Sequence, residues 1–417
     1  MWLVRAAIGL VAFLLAIVAV FATAAFLYLS KPETPPEPTP VRDYSEYELE
    51  KAVGLYRLPD DTQAILTFSA RGGLSMYRLE NARFSRDDYL STQFVPKHDS
   101  TFTWEPWGEG EPQTVRFTGG ADDVTGFVWQ DSDGQHTAQR ITTAFSQHDL
   151  EWQNGKVTLA GTAFIPQRRV DAGVVMLHGS GNSHRDNLWY LHIVLHMVDK
   201  GIAVLLPDKR GSGRSGGEWR TASFTDFALD GLAGREVLAG LADLPLDKIG
   251  LVGISQGGSW VTPIATTMTN DLPFVINISG AAVSPNQQLA HETRQTLRQH
   301  GIPEFLDFFV HPYAVAIPKR RRSAWWDTNG SYDPLPDWQE CRTPALFIYG
   351  SEDEIDNVPV STSVSRLGPS AEERRGFEIM VLKGVGHGLM DPDTRELKPY
   401  FLGAVSDWAL YYAAQAE

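Results

Sequence analysis

The sequence has a single cysteine, Cys341, in 417 residues, so no intramolecular disulfide is possible. That absence does not bar export, since disulfide-free exported proteins are common. Cys341 has no catalytic-looking partner near it in the sequence, precedes an apolar run, and reads as structural. Positive charge is also scarce. The chain holds 36 Lys and Arg against 51 Asp and Glu, a net −15, and binding phosphate needs a surplus of cations somewhere, so general nucleic-acid binding is disfavoured. The one basic run, Lys319 to Arg322, is short and reads as a solvated turn. No solenoid-length repeat occurs. His192 and His196 have a metal-like spacing without a nearby acid or cysteine, which favours a packing or surface role, and no metal is expected. What is present is 43% hydrophobic and 21% charged, a globular composition with room for two domains or one large one.

From Ala6 to Leu29 the chain carries no charge, and its only polar side chains are Thr23 and Tyr28. At about 1.5 Å per residue the run exceeds the ~20 residues that span a hydrocarbon core. Arg5 precedes it, and Lys31, Glu33 and Glu37 follow, which predicts an N-terminal transmembrane helix (residues 1–30) with the body outside the cytoplasm. The alternative is a signal peptide cleaved near Ala22-Thr23-Ala24, giving a secreted protein. Residues 31–43 form a linker, with five prolines in KPETPPEPTP favouring extended geometry.

Residues 44–150 alternate in short runs such as TQAILTF (62–68), QTVRFTG (113–119) and VTGFVWQ (124–130), broken by turn residues. They predict a small all-β module, with a hairpin at DSDGQ (131–135). Its tryptophans, Trp104, Trp107 and Trp129, read as core or packing surface. From 151 to 417 the pattern changes. KVTLAGTAFIP (156–166) reads as a strand pair, followed by AGVVMLHG, GIAVLLPD, KIGLVGIS, LPFVINIS, PALFIYG and FEIMVLK, alternating with helical stretches. Unbroken apolar strands of this kind are covered on both faces, so the expected fold is α/β with a doubly wound, mostly parallel sheet. In such sheets the chemistry lies beyond the carboxyl ends of the strands.

Gly-x-Ser-x-Gly occurs twice, at Gly253–Gly257 and Gly213–Gly217, so context must choose. Ser255 directly ends a strand and directly precedes a helical stretch, the strand–turn–helix setting that exposes a nucleophile. Ser215 sits in a glycine-rich loop that opens no helix, which also argues against reading Gly211-x-Gly213-x-x-Gly216 as a dinucleotide fingerprint. A serine hydroxyl needs a base, and the base needs an orienting group. His387, in KGVGHGLM, follows the last apolar strand at the expected rim. Asp353 follows PALFIYG among Glu352, Glu354 and Asp356, and is the candidate acid. For the oxyanion of acyl transfer, the backbone N–H of Gln256 and of Ser180, in His178-Gly179-Ser180-Gly181, are the candidate donors. His178 reads as a fixer of that loop.

MLHGSGNSHRDN, LLPDKRGSGRSGG, IGLVGISQGG, YGSEDEIDNVP and GVGHGL together resemble the α/β-hydrolase superfamily, most closely its serine esterases and its dienelactone-hydrolase or prolyl-oligopeptidase-like members. The resemblance covers residues from about 152 onward. It implies the Ser…Asp…His order, a structural role for Asp208 to Gly213, and a cap over the site at 282–337, where an added helix pair on the core is the other reading. The expectation is an exported serine hydrolase of small-molecule esters, without cofactor. A peptidase gated by the β module, or a non-catalytic binding protein, is the alternative.

Overall fold

The computed structural model describes residues 26–34, 48–79, 92–97, 101–104, 111–120 and 123–415. Apart from Phe26–Leu29, the run expected to span a membrane lies outside them, as does most of the proline-rich linker. Among the described residues no helix is long and apolar enough to cross a membrane.

The first part is a closed barrel of eight antiparallel strands: β1 (Gly54–Arg57), β2 (Gln63–Phe68), β3 (Leu74–Arg78), β4 (Thr92–Pro96), β5 (Thr101–Trp104), β6 (Gln113–Gly120), β7 (Asp123–Asp131) and β8 (Gly134–Ile141). β1 pairs with β8, Leu55 opposite Ile141, so the sheet has no free edge. Its interior is aromatic. Tyr56, Phe94 and Phe127 are fully buried, and Trp104 meets Trp129 edge to face at 4.7 Å. These side chains fill the barrel with core.

The second part is an eight-stranded sheet in the order β16-β15-β14-β13-β11-β12-β10-β9. It begins with β9 (Phe145–Asn154) and β10 (Val157–Pro166), so its first strand starts before residue 151, and KVTLAGTAFIP is one strand paired with β9 instead of a hairpin. β11 (Ala172–Leu177), β12 (Ile202–Pro207), β13 (Ile249–Ile254), β14 (Val275–Ile278), β15 (Ala345–Gly350) and β16 (Phe377–Leu382) are parallel, and β10 runs against β12. Every residue of β11, β13 and β15 is buried. Alternate side chains explain this. Val174 and Met176 join α1 (Leu188–Asp199) in one core, while Val175 and Leu177 join α2 (Phe224–Ala242) in another. After β13 come a π turn over Gly257–Val261 and α3 (Thr262–Met268).

Between β14 and β15 the chain is helical: α4 (Pro285–Gln299), α5 (Asp307–Arg321), α6 (Ser323–Asn329) and α7 (Leu335–Glu340). Ser284 opens α4 with a capping box to Gln287. After β15 follow α8 (Val360–Glu373), β16 and α9 (Pro399–Ala413).

The barrel is tied to the sheet through the loop before α1 and through β9. The buried carboxylate of Asp186 accepts from Ser69 Oγ at 2.9 Å and from the Ala70 N–H at 3.0 Å. Gln147 on β9 donates to the Leu66 carbonyl at 3.1 Å.

Candidate active site

Because β11, β13, β15 and β16 are parallel, the segments that leave their carboxyl ends meet at one edge of the sheet. Ser255 leaves β13 with φ 51°, a left-handed conformation that costs a side-chain-bearing residue energy. Its N–H donates to the Ile278 carbonyl at 2.8 Å, and its carbonyl accepts from the Ser259 N–H at 2.7 Å. The flanking glycines are sterically required. A Cβ on Gly253 would lie 2.3 Å from Thr262 Oγ1, and one on Gly257 would lie 2.3 Å from the Leu177 carbonyl oxygen. The turn therefore holds Ser255 at the head of a helix whose first N–H groups have no partner within the helix.

The other copy of the motif is built differently. Ser215 is buried, and its Oγ donates to the Asp208 carbonyl at 2.7 Å and accepts from the Ala160 N–H at 2.9 Å. Both hydroxyl functions are used to hold the loop against β10.

His387 and Asp353 are brought together. His387 Nδ1 lies 2.8 Å from Asp353 Oδ2, with Asp353 fully buried and His387 one-third exposed. The other oxygen of Asp353 accepts from the Val358 N–H at 3.3 Å. Neighbouring acids point elsewhere: Glu354 caps the Ser361 N–H at 2.6 Å, and Asp356 accepts from Gln299 at 3.1 Å. The His387 loop is fixed by Ser279 Oγ donating to the His387 carbonyl (2.8 Å) and Trp189 Nε1 donating to the Gly388 carbonyl (2.9 Å). Ser255 and His387 are thus both tied to the carboxyl end of β14, through Ile278 and Ser279. Among the described residues no hydrogen bond joins the Ser255 hydroxyl to His387.

The loop after β11 is immobilised from below. His178 lies 2.5 Å from the Pro207 carbonyl through Nε2 and 2.9 Å from Ser183 Oγ through Nδ1. The carbonyl can only accept, so Nε2 carries the proton and Nδ1 accepts. Burial holds the ring down to about 4, keeping it neutral. Asp208 accepts from the Arg185 N–H and from its guanidinium at 3.0 to 3.1 Å. Burial alone would raise the Asp208 carboxyl, yet Arg185 holds it below its ordinary value.

Two partners of this loop have no sequence signal. Lys209 is buried, donates from Nζ to the Gly179 carbonyl at 2.8 Å, and lies 4.8 Å from the Phe227 ring centre. Burial pushes its ammonium down to about 7. Tyr190 accepts the Gly179 N–H at 3.1 Å. Lys209 holds the peptide between Gly179 and Ser180, and Tyr190 the one before it, between His178 and Gly179, contacts that only the fold reveals.

Ser255, Gln256 and Ser180 line one cleft, whose walls include Trp219, Trp260, Trp325 and Trp326, with Glu292 and Arg322 as charged groups. Burial raises the Glu292 carboxyl, while His387 and His291 draw it the other way. Among the described residues no His, Cys, Asp and Glu group could hold a metal. The cleft can present the Ser255 hydroxyl and the backbone of Gln256 and Ser180 to one ligand between aromatic walls; His387 and Asp353 are not among its lining residues.

The family model described as "Alpha/beta hydrolase family" matches residues 174–397, more than half of the chain, and the chain belongs to that family. Among solved structures, an esterase from Pyrococcus furiosus is 22% identical, covering 63% of this chain and 90% of its own at a TM-score of 0.46. The proline iminopeptidase of Mycobacterium smegmatis is 16% identical over 65% of this chain and 100% of its own, TM-score 0.45. Est1E from Butyrivibrio proteoclasticus, with ferulic acid bound, is 18% identical over 64% and 98%, TM-score 0.43. No curated protein matches the sequence.

Proposed function

We propose that the protein is a serine hydrolase of carboxylic esters, with Ser255 as nucleophile, His387 as base and Asp353 as the group that orients it. With Nδ1–H donated to Asp353, the imidazole keeps Nε2 free to take the Ser255 proton as Oγ bonds to the ester carbonyl carbon. The proton then passes to the leaving alkoxide, giving an alcohol and an acyl-Ser255. Water, deprotonated by the same nitrogen, releases the acid and restores the hydroxyl. No cofactor is called for.

The oxyanion is received by the N–H groups of Gln256 and Ser180. In a trans peptide the C=O and N–H point in opposite directions. Lys209, bonded to the Gly179 carbonyl, therefore aims the Ser180 N–H of the same peptide away from itself, and its charge strengthens that donor. The aromatic walls suit an apolar acyl or alcohol group. In this reading the run from Ala6 to Leu29 anchors the chain, with the catalytic part outside the cytoplasm.

The observation that carries the reading is the left-handed Ser255 turn at the same sheet edge as the His387–Asp353 pair. A fluorophosphonate probe on wild type, Ser255→Ala and Ser215→Ala tests it. Labelling and p-nitrophenyl butyrate turnover should vanish only in Ser255→Ala. Labelling that persists in Ser255→Ala refutes the assignment, and preferential turnover of proline peptides would move the reading to a peptidase.

A further inference from the structure

The helical segment between β14 and β15 carries aromatic side chains that stay largely exposed among the described residues. Phe305 is 76% exposed, Phe308 82%, Phe309 65% and Tyr313 62%. Phe308, Phe309 and Tyr313 stand on α5 and Phe305 on the 3₁₀ turn Glu304–Leu306 that leads into it; positions 305, 309 and 313 recur every fourth residue with 308 beside them, so the rings share one face where α5 starts. Four exposed aromatics on one face form a patch that a soluble surface rarely keeps.

What adjoins this face identifies its occupant. The Phe26 ring packs edge to face on Tyr313 at 5.7 Å, with Arg320 at 5.4 Å from the Phe26 ring centre. Leu27, Tyr28 and Leu29 are each more than half exposed. Glu33 then fastens the segment to the end of α5, its N–H to the Arg321 carbonyl at 3.0 Å and its carboxylate to Arg321 and Arg322 at 3.1 and 2.7 Å. The uncharged run from Ala6 therefore ends against the cap helix. Cations flank the patch in a chain of net charge −15: Lys31 lies 4.9 Å from the Tyr28 ring and Lys319 5.7 Å from that of Trp326, beside Arg320. Aromatic rings with neighbouring Lys and Arg are the residues that settle at the boundary of acyl chains and anionic headgroups.

We propose that this face of α5 lies in the surface layer of a phospholipid bilayer containing anionic lipid. The rings of Phe305, Phe308, Phe309 and Tyr313 enter the headgroup–acyl boundary, and Lys31, Lys319 and Arg320 meet the phosphates. Pro318 of the same helix and Arg322 just after it wall the cleft at Ser255, so the cleft stands at the lipid surface and takes an ester dissolved in the bilayer. This second step rests on the hydrolase reading; the first does not.

The test uses the full chain in nanodiscs of phosphatidylcholine with a minority of phosphatidylglycerol. An environment-sensitive fluorophore is attached at Phe308→Cys and, as a control, at Tyr411→Cys on α9, where the native side chain is 52% exposed. Cys341 is buried. Doxyl-labelled lipids should quench the probe at 308 several-fold more than at 411. Equal quenching overturns the proposal, as does shielding at 308 that rises with protein concentration and not with lipid, which would mark a contact between copies. The triple variant Phe305→Ser, Phe308→Ser, Phe309→Ser should lose tenfold or more of its hydrolysis of diacylglycerol in the disc while keeping that of p-nitrophenyl butyrate. Equal rates with wild type on both esters overturn the lipid-borne substrate. A wild type inactive on both esters, with selective quenching at 308, would instead fault the hydrolase reading and leave the membrane contact standing.

Discussion

Lys209→Met removes the charge beneath the Ser180 donor and keeps most of the apolar stem. The bond lost, from Lys209 Nζ to the Gly179 carbonyl, is short and shielded from water. Hydrogen bonds involving a charged group contribute about 1.5–3 kcal/mol net. At about 1.4 kcal/mol per tenfold in rate, the full range corresponds to about 10- to 150-fold. The peptide serves the oxyanion more than the ground-state carbonyl, so the loss should fall on kcat with KM little changed. The pH profile separates this role from mere packing. Because burial holds the ammonium down to about 7, the ratio of wild-type to variant kcat should be largest below neutrality and narrow above it, where Lys209 becomes a neutral donor.

Stability carries the same signature. The folded value lies below the ordinary 10.5. Below about 7 both states hold the proton and the contribution is flat. Between about 7 and 10.5 the unfolded chain binds more protons, so Lys209 makes stability rise with pH. Urea unfolding on both sides of neutrality should show that slope in wild type and its loss in Lys209→Met. A folded variant with kcat within about twofold of wild type at every pH would refute the reasoning.

Asp353→Asn keeps the shape but cannot hold the tautomer that leaves His387 Nε2 free, and kcat should fall by about 10⁴-fold with binding retained; active-site titration with steady-state kinetics checks this. Asp208→Asn breaks a buried pair with Arg185 and should cost about 3–5 kcal/mol in urea unfolding. Since the folded Asp208 carboxyl sits below its ordinary value, its contribution is present above that value and lost as pH falls through the folded one. Wild type and Asp208→Asn should therefore converge in acid, and parallel stability curves would refute that account.

The parts legible in the sequence were those fixed by neighbours along the chain. Apolar runs such as IGLVGI could only be strands covered on both faces, and all six of its residues are buried. Glycine on either side of Ser255 signalled a turn too tight for a Cβ, although part of the crowding is tertiary, since the Leu177 carbonyl that a Cβ on Gly257 would meet belongs to β11. Strand–turn–helix, a pattern of neighbours along the chain, distinguished that serine from Ser215. Alternation and turn residues likewise disclosed antiparallel strands in the first part, though not that β1 would meet β8 and close them into a barrel.

Tertiary structure decided whatever depends on groups distant in the chain. Four acids crowd the turn after Gly350, and only the path of the 385–388 loop selects Asp353 to face His387. Lys209 lies in the stretch from Asp208 to Gly213 expected to be structural, but its burial and its bond to Gly179 exist only once the fold closes over it. Phe305, Phe308 and Phe309 have the spacing of a buried helix face, yet they point outward, because no other described element reaches them. Local pattern dictates which conformation a segment can adopt; burial, charge state and partnership are set by what the rest of the chain brings against it.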